Sequence, residues 1–121
     1  MTEIQNPKQY NLENRTLEFA KKVRKFIKLL PKTISNIEDG KQVIRSSGSI
    51  GANYIEANES LSKKDFIMRV KICRKEAKET IYWLKLVDIN NIVNLGNESK
   101  LLILEGTELM KIFGAILEKC K

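Results

Sequence analysis

From Asn11 onward the apolar residues of this chain recur at spacings of three, four and seven. Leu12, Phe19, Val23, Phe26, Ile27 and Leu30 form one stripe, which Leu17 and Leu29 widen. Spacing of this kind puts the residues on one face of an α-helix. Pro31 ends the pattern, because the residue before a proline is pushed out of the helical region. The first helix is expected over about 13–30, preceded by a polar arm carrying Pro7. A second helix is expected over about 36–60, started by Ser35 or Asn36, with Glu38 and Asp39 near its positive end. Its apolar positions Val43, Ile44, Ile50, Tyr54 and Ile55 are interrupted by Ser46, Ser47, Gly48, Ser49 and Gly51. Propensity alone reads 46–51 as a loop. The apolar spacing continues across the small residues, which favours a helix packed too closely to admit larger side chains. Ser62, with Asp65 three residues on, starts a third helix expected over 63–90. Phe66, Val70, Cys73, Ala77, Ile81 and Leu84 share one face of it. Residues 90–96 read as a connection. A fourth helix is expected over 98–119, with Asn97 or Ser99 as cap and Leu101, Leu102, Leu104, Leu109, Ile112, Phe113, Ile116 and Leu117 as its stripe. No segment alternates as a strand does. Four amphipathic helices with short connections predict a single all-α domain, an antiparallel up-down-up-down four-helix bundle.

Composition narrows what such a bundle does. The 121 residues hold no histidine, which excludes His-based triads, histidine metal sites and histidine pH switches. Di-metal bundles pair Glu-x-x-His motifs, so a carboxylate set from Glu56, Glu76 and Glu79 has only hard-cation chemistry open to it. A serine nucleophile would find only lysine or carboxylate as its base. The chain is therefore read as no enzyme, with no cofactor and no metal. Cys73 falls in an apolar stripe and reads as a small buried hydrophobe, and Cys120 reads as a free thiol. A disulfide between them is conceivable, but two unpatterned cysteines do not describe a secreted scaffold. The amino terminus has no apolar run and the longest apolar run is Leu101–Leu104, so a cytoplasmic protein with no membrane role is expected.

The net charge of +7 is unevenly placed: residues 1–31 carry +4, 32–60 carry −1, 61–90 carry +4, and 91–121 are neutral. Lys21, Lys22, Lys25 and Lys28 on the first helix and Lys71, Arg74, Lys75 and Lys78 on the third are the candidate nucleic-acid-binding residues, able to hold a phosphate backbone by counterion release. The same lysines equally describe a hydrated, soluble face. In an up-down bundle the two helices are diagonal, so two strips are more natural than one wall. There is no recognition helix, zinc finger or aromatic RNA platform, and Tyr54, Tyr82 and Trp83 read as packing or interface residues. Arg45, Ser49, Asn53 and Glu56 share a face of the second helix, and Glu76 and Glu79 lie close together on the third. They are expected to form a structural polar network, with Arg45 meeting Glu76 or Glu79, that fixes register or subunit pairing.

The run from Gln42 to Ala57, QVIRSSGSIGANYIEA, followed by Ser62-Lys63-Lys64-Asp65-Phe66, resembles the signature of the 23S rRNA-intervening sequence proteins. The segment Cys73 to Thr80, CRKEAKET, and Leu29-Leu30-Pro31 are similar to other parts of that family's pattern, and the likeness spans about residues 12–118. Asn58 stands where the family usually has glycine, Ile55 where it has alanine, and Arg74-Lys75 where it has a small Gly-Ser pair. The resemblance implies an antiparallel four-helix bundle and self-association, with ring-like pentamers as the expected form. A related accessory protein of diversity-generating retroelements forms a basic pentameric barrel and works with a reverse transcriptase and nucleic acid. The family's recurring polar positions fall on Arg45, Asn53, Glu56, Glu76 and Glu79, and no catalytic residue carries over. The functional expectation is a non-enzymatic homo-oligomer that binds RNA or DNA through helices one and three. The alternative is an adaptor acting through protein partners alone.

Overall fold

The computed structural model describes the backbone of residues 7–121 and the side chains of 12–121. Four helices follow one another: α1 (Pro7–Leu29), α2 (Ile34–Asn58), α3 (Lys63–Leu86) and α4 (Val93–Lys119), with no strand among the described residues. Each helix packs on its neighbours in the order α1, α2, α3, α4 and back to α1, while α1 and α3 occupy opposite corners. Contact pairs give the directions. Glu13 meets Asn58, Thr16 meets Gly51 and Ile27 meets Gly40, so α1 and α2 run against each other. Asn53 meets Arg69, Ile50 meets Cys73 and Ser46 meets Thr80 between α2 and α3. Ile81 meets Gly106 and Ile89 meets Gly96 where α3 turns into α4. In each series one number falls as the other rises.

Several boundaries differ from the expected ones. The first helix begins at Pro7, not near residue 13, so part of the expected loose arm is helical; residues 1–6 lie outside the described residues. A proline suits the first helical position, where its missing N–H is unpaired in any case. The cap of α2 is Thr33, whose hydroxyl accepts from the Asn36 N–H at 3.1 Å, in place of Ser35 or Asn36. Ser62 caps α3 as expected, its hydroxyl accepting from the Asp65 N–H at 3.1 Å. The last connection is shorter than 90–96. Asn90 and Asn91 turn the chain with φ of 53° and 58°, a left-handed geometry that asparagine tolerates. The fourth helix then starts at Val93, with no side-chain cap from Asn97 or Ser99.

The core joins Phe19, Val23 and Phe26 of α1 to Val43 and Ile50 of α2, Val70, Cys73 and Leu84 of α3, and Leu102, Leu109 and Phe113 of α4. The predicted apolar faces were too wide at five places. Leu17, Leu29, Ile55, Leu101 and Leu104 are 51%, 68%, 49%, 60% and 59% exposed. At 100° per residue, consecutive apolar residues cannot all face inward. The segment 46–51 is helical throughout, with Ser46 and Ser47 buried. A Cβ at Gly51 would lie 2.8 Å from the Thr16 hydroxyl, so glycine is what lets α1 approach α2 there. Cys73 and Cys120 are both free thiols. Among the described residues, no helix is long and apolar enough to cross a membrane, and no cluster of acidic or cysteine residues is arranged to hold a metal ion.

Candidate nucleic-acid interface

A helix places residues i, i+4, i+7, i+11 and i+14 along one line. On α3 those positions are Lys71, Lys75, Lys78, Tyr82 and Lys85, and all five are exposed. Arg74 is exposed beside them. Among the described residues, no carboxylate lies within 4.0 Å of any of these cations. Lys85 and Tyr82 were not among the expected site residues, although their spacing from Lys78 is legible in the sequence.

The α1 cations sit in different surroundings. Lys21 pairs with Glu18 at 3.5 Å. Lys22 and Lys25 line a groove of about 1000 Å³ between α1 and α4, and Glu18, Glu98, Glu105 and Glu108 line it with them. Lys28 is exposed. The two basic strips do not merge within one copy of the chain, since α1 and α3 are diagonal. Arg15 crosses the same groove to Glu105 with two short bonds, Nε at 2.7 Å and Nη2 at 2.8 Å. The carboxylate's hydrogen bond holds the Arg15 guanidinium pKa above its ordinary value. No spacing rule relates residues so far apart in sequence, so this pair was not foreseen.

Between α2 and α3 the expected polar network is only partly assembled. Arg45 reaches both Glu79, at 3.5 Å, and Glu76, at 3.6 Å. Asn53 accepts from Arg69 at 3.0 Å and donates to the Ser49 backbone carbonyl at 2.9 Å, so Ser49 contributes main chain and not its hydroxyl. Glu56 is exposed and stands outside the network. The buried Glu76 Oε1 has no hydrogen-bond partner. Deeper in the seam, the Ser46 and Thr80 hydroxyls lie 2.7 Å apart, with the carbonyls of Val43 and Glu76 as further acceptors. Cys73 donates to the Ile50 carbonyl, and burial pushes its thiol pKa up to about 12. Tyr54 packs on Phe113 with ring centres 5.8 Å apart, and burial raises its phenol pKa.

Above that seam α2 and α3 leave an open shelf of about 490 Å³, lined by Gln42, Arg45, Lys75, Lys78, Glu79, Tyr82 and Trp83. Tyr82 is 59% exposed and meets Trp83 edge to face, with ring centres 5.1 Å apart. The apolar counterpart is the end of the bundle where the α1–α2 and α3–α4 connections meet. Asn36 ties that end together, donating to the carbonyls of Pro31 and Asp88 at 3.0 and 2.8 Å and accepting from the Asp88 N–H at 2.8 Å. Around it Leu29, Ile34, Leu86, Ile92 and Val93 are exposed.

The family model described as 23S rRNA-intervening sequence protein matches residues 8–115. A solved structure from Bacteroides thetaiotaomicron, described as a protein with unknown function from the S23 ribosomal protein family, is 33% identical. The match covers 88% of this chain and 97% of that one, with a TM-score of 0.74. No curated protein matches the chain significantly.

Proposed function

Because the chain belongs to the 23S rRNA-intervening sequence protein family, we propose that it is a non-enzymatic, self-associating helical protein that holds the backbone of RNA or DNA on the lysine face of α3. The observation that carries this reading is the contrast in charge pairing. Among the described residues the α3 cations have no carboxylate at ion-pair distance, whereas Lys21 on α1 has Glu18. Lys22 and Lys25 share their groove with Glu18, Glu98, Glu105 and Glu108, whereas Lys75 and Lys78 share theirs with Glu79, which Arg45 meets. A phosphate chain laid along α3 would release counterions without first displacing an internal partner. This narrows the expectation from helices one and three to helix three.

Self-association is supported by the apolar side chains at the loop end, because exposed apolar clusters on a small domain mark contact surfaces. A ring of copies, pentameric as the resemblance implies, would repeat the α3 face around its circumference. The binding test uses generic single- and double-stranded nucleic acid at about 50 mM and about 200 mM salt, where a backbone-dominated interaction is respectively strong and weak. A Lys71→Glu, Lys75→Glu, Lys78→Glu variant loses binding, and a Lys21→Glu, Lys25→Glu variant keeps most of it. Absence of binding at about 50 mM salt overturns the nucleic-acid reading. Light scattering at the 13.9 kDa of one chain overturns self-association. The apolar loop end also favours a second reading, an adaptor working by protein contacts alone, which self-association without nucleic-acid binding would support.

A further inference from the structure

The outward line of α3 is not purely basic. Tyr82 stands in it, one helical turn from Lys78 on one side and from Lys85 on the other. An exposed aromatic ring on a soluble helix invites the reading of a packing residue left at the edge, which is how the sequence presents Tyr82. The structure places it differently from Tyr54. Tyr54 is 4% exposed and packed on Phe113 in the core, whereas Tyr82 is 59% exposed. Trp83 packs against the core and braces Tyr82 edge to face, which fixes the phenol ring at the rim of the shelf between α2 and α3. Three cations, Arg45, Lys75 and Lys78, line the same shelf. Its one carboxylate, Glu79, lies 3.5 Å from the Arg45 guanidinium, so its charge is partly answered within the protein. Gln42 adds an amide that can meet the edge of a base.

A ring held at the rim of a cationic shelf, in line with lysines that can hold phosphates, is the arrangement by which proteins grip single strands: the backbone follows the charges and a base stacks on the ring. Duplexes keep their bases stacked on each other and cannot use it. We propose that Tyr82, braced by Trp83, is a base-stacking subsite that gives the α3 face a preference for single-stranded nucleic acid. This inference rests on the backbone-binding reading of α3 and adds a base contact to it.

The full-length protein is titrated at about 50 mM salt with three labelled probes: a 12-nucleotide oligouridylate, an abasic strand with the same number of phosphates, and a 12-base-pair duplex. Wild type is expected to bind the oligouridylate most tightly. Tyr82→Ala is expected to weaken oligouridylate binding ~5- to 150-fold, the range for losing one stacked base, while binding to the abasic strand and the duplex is unchanged. Tyr82→Phe keeps the ring and restores binding. Trp83 is the chain's one tryptophan, so its emission should change with the oligouridylate and not with the abasic strand. Circular dichroism checks that the variants stay helical. If the wild type binds all three probes and Tyr82→Ala leaves oligouridylate binding unchanged, or weakens all three probes equally, the stacking subsite is overturned and the backbone reading stands. If no probe binds wild type, both fall.

Discussion

The seams that α2 makes and the seam between α1 and α4 hold the bundle together in different ways. Along α2, small residues bring backbones close. Gly51 admits Thr16, Ser46 meets Thr80 hydroxyl to hydroxyl, and Cys73 sits within 3.5 Å of the Ile50 carbonyl. Between α1 and α4 the helices approach least closely, and a groove of about 1000 Å³ separates side chains such as Leu29 and Leu101. Close approach removes water, so polar groups in an α2 seam depend on partners in the protein, and the buried Glu76 Oε1, 3.6 Å from Arg45, is left with charge attraction and no hydrogen bond. An open groove lets water serve the polar groups, so a single surface-strength pair is sufficient there. The bundle is thus tighter along the seams of α2 and looser between α1 and α4.

The largest expected effect is at Asn36, where α2 closes the loop end. Asn36→Ala removes three hydrogen bonds at a residue only 3% exposed. At about 1 kcal/mol per bond the loss is roughly 3 kcal/mol, measurable by urea unfolding. A loss below about 1 kcal/mol would show that water replaces the amide freely, and that the loop end is no tighter than the groove.

A second test uses the buried thiol. Because the native pKa of Cys73 is raised to about 12 from an ordinary 9.0, its contribution to stability is fully present below pH 9. Above that the unfolded chain releases the proton while the native chain retains it. Stability is therefore lost as pH rises, by about 1 kcal/mol at pH 10. The cysteine's share of the loss should be absent in Cys73→Ala, while the share of the buried Tyr54 remains in both proteins; stability is compared with wild type at pH 8 and pH 10. Equal pH profiles for the two proteins would mean that water reaches the α2–α3 seam.

Gly51 tests the closeness itself. Alanine favours the helix by about 1 kcal/mol over glycine, but its Cβ would lie 2.8 Å from the Thr16 hydroxyl. Overpacking costs about 1–3 kcal/mol, so Gly51→Ala is expected to be destabilising by about 1 kcal/mol net. Adding Thr16→Ala should recover stability beyond the sum of the single effects. Additive behaviour would place the two helices further apart than described.

These residues show what the sequence disclosed. Four helices and most of the core were legible because periodic apolar spacing is a local property. The helical reading of 46–51 went against propensity, and it holds because Ser46 and Gly51 face the Thr80 and Thr16 side chains of the neighbouring helices at close range. Asn36 read as a helix cap, and its clamp on Asp88 was invisible, because it depends on how α2 and α3 align. Glu56 shared a face with Arg45 in the sequence yet lies outside their network, since a shared helical face does not specify which neighbour is in reach. Of the line Lys71, Lys75, Lys78, Tyr82 and Lys85, the three lysines up to Lys78 are candidates from the sequence, whereas Tyr82 and Lys85 emerge only from the helical spacing, which net charge by segment does not show.

The smallest effect belongs to the open seam. Arg15 and Glu105 form a two-pronged pair across α1 and α4, but their side chains are 33% and 31% exposed. Such a pair contributes at most about 1 kcal/mol, and salt weakens it. Arg15→Ala should therefore barely move global unfolding. Hydrogen exchange is the sharper measurement, because local opening reports the weakest contacts first. In Arg15→Ala, amides of α1 and α4 along the groove should exchange faster while those of α2 and α3 stay protected. Uniform acceleration across all four helices would show that the bundle opens only as a whole, and that the two kinds of seam have the same strength.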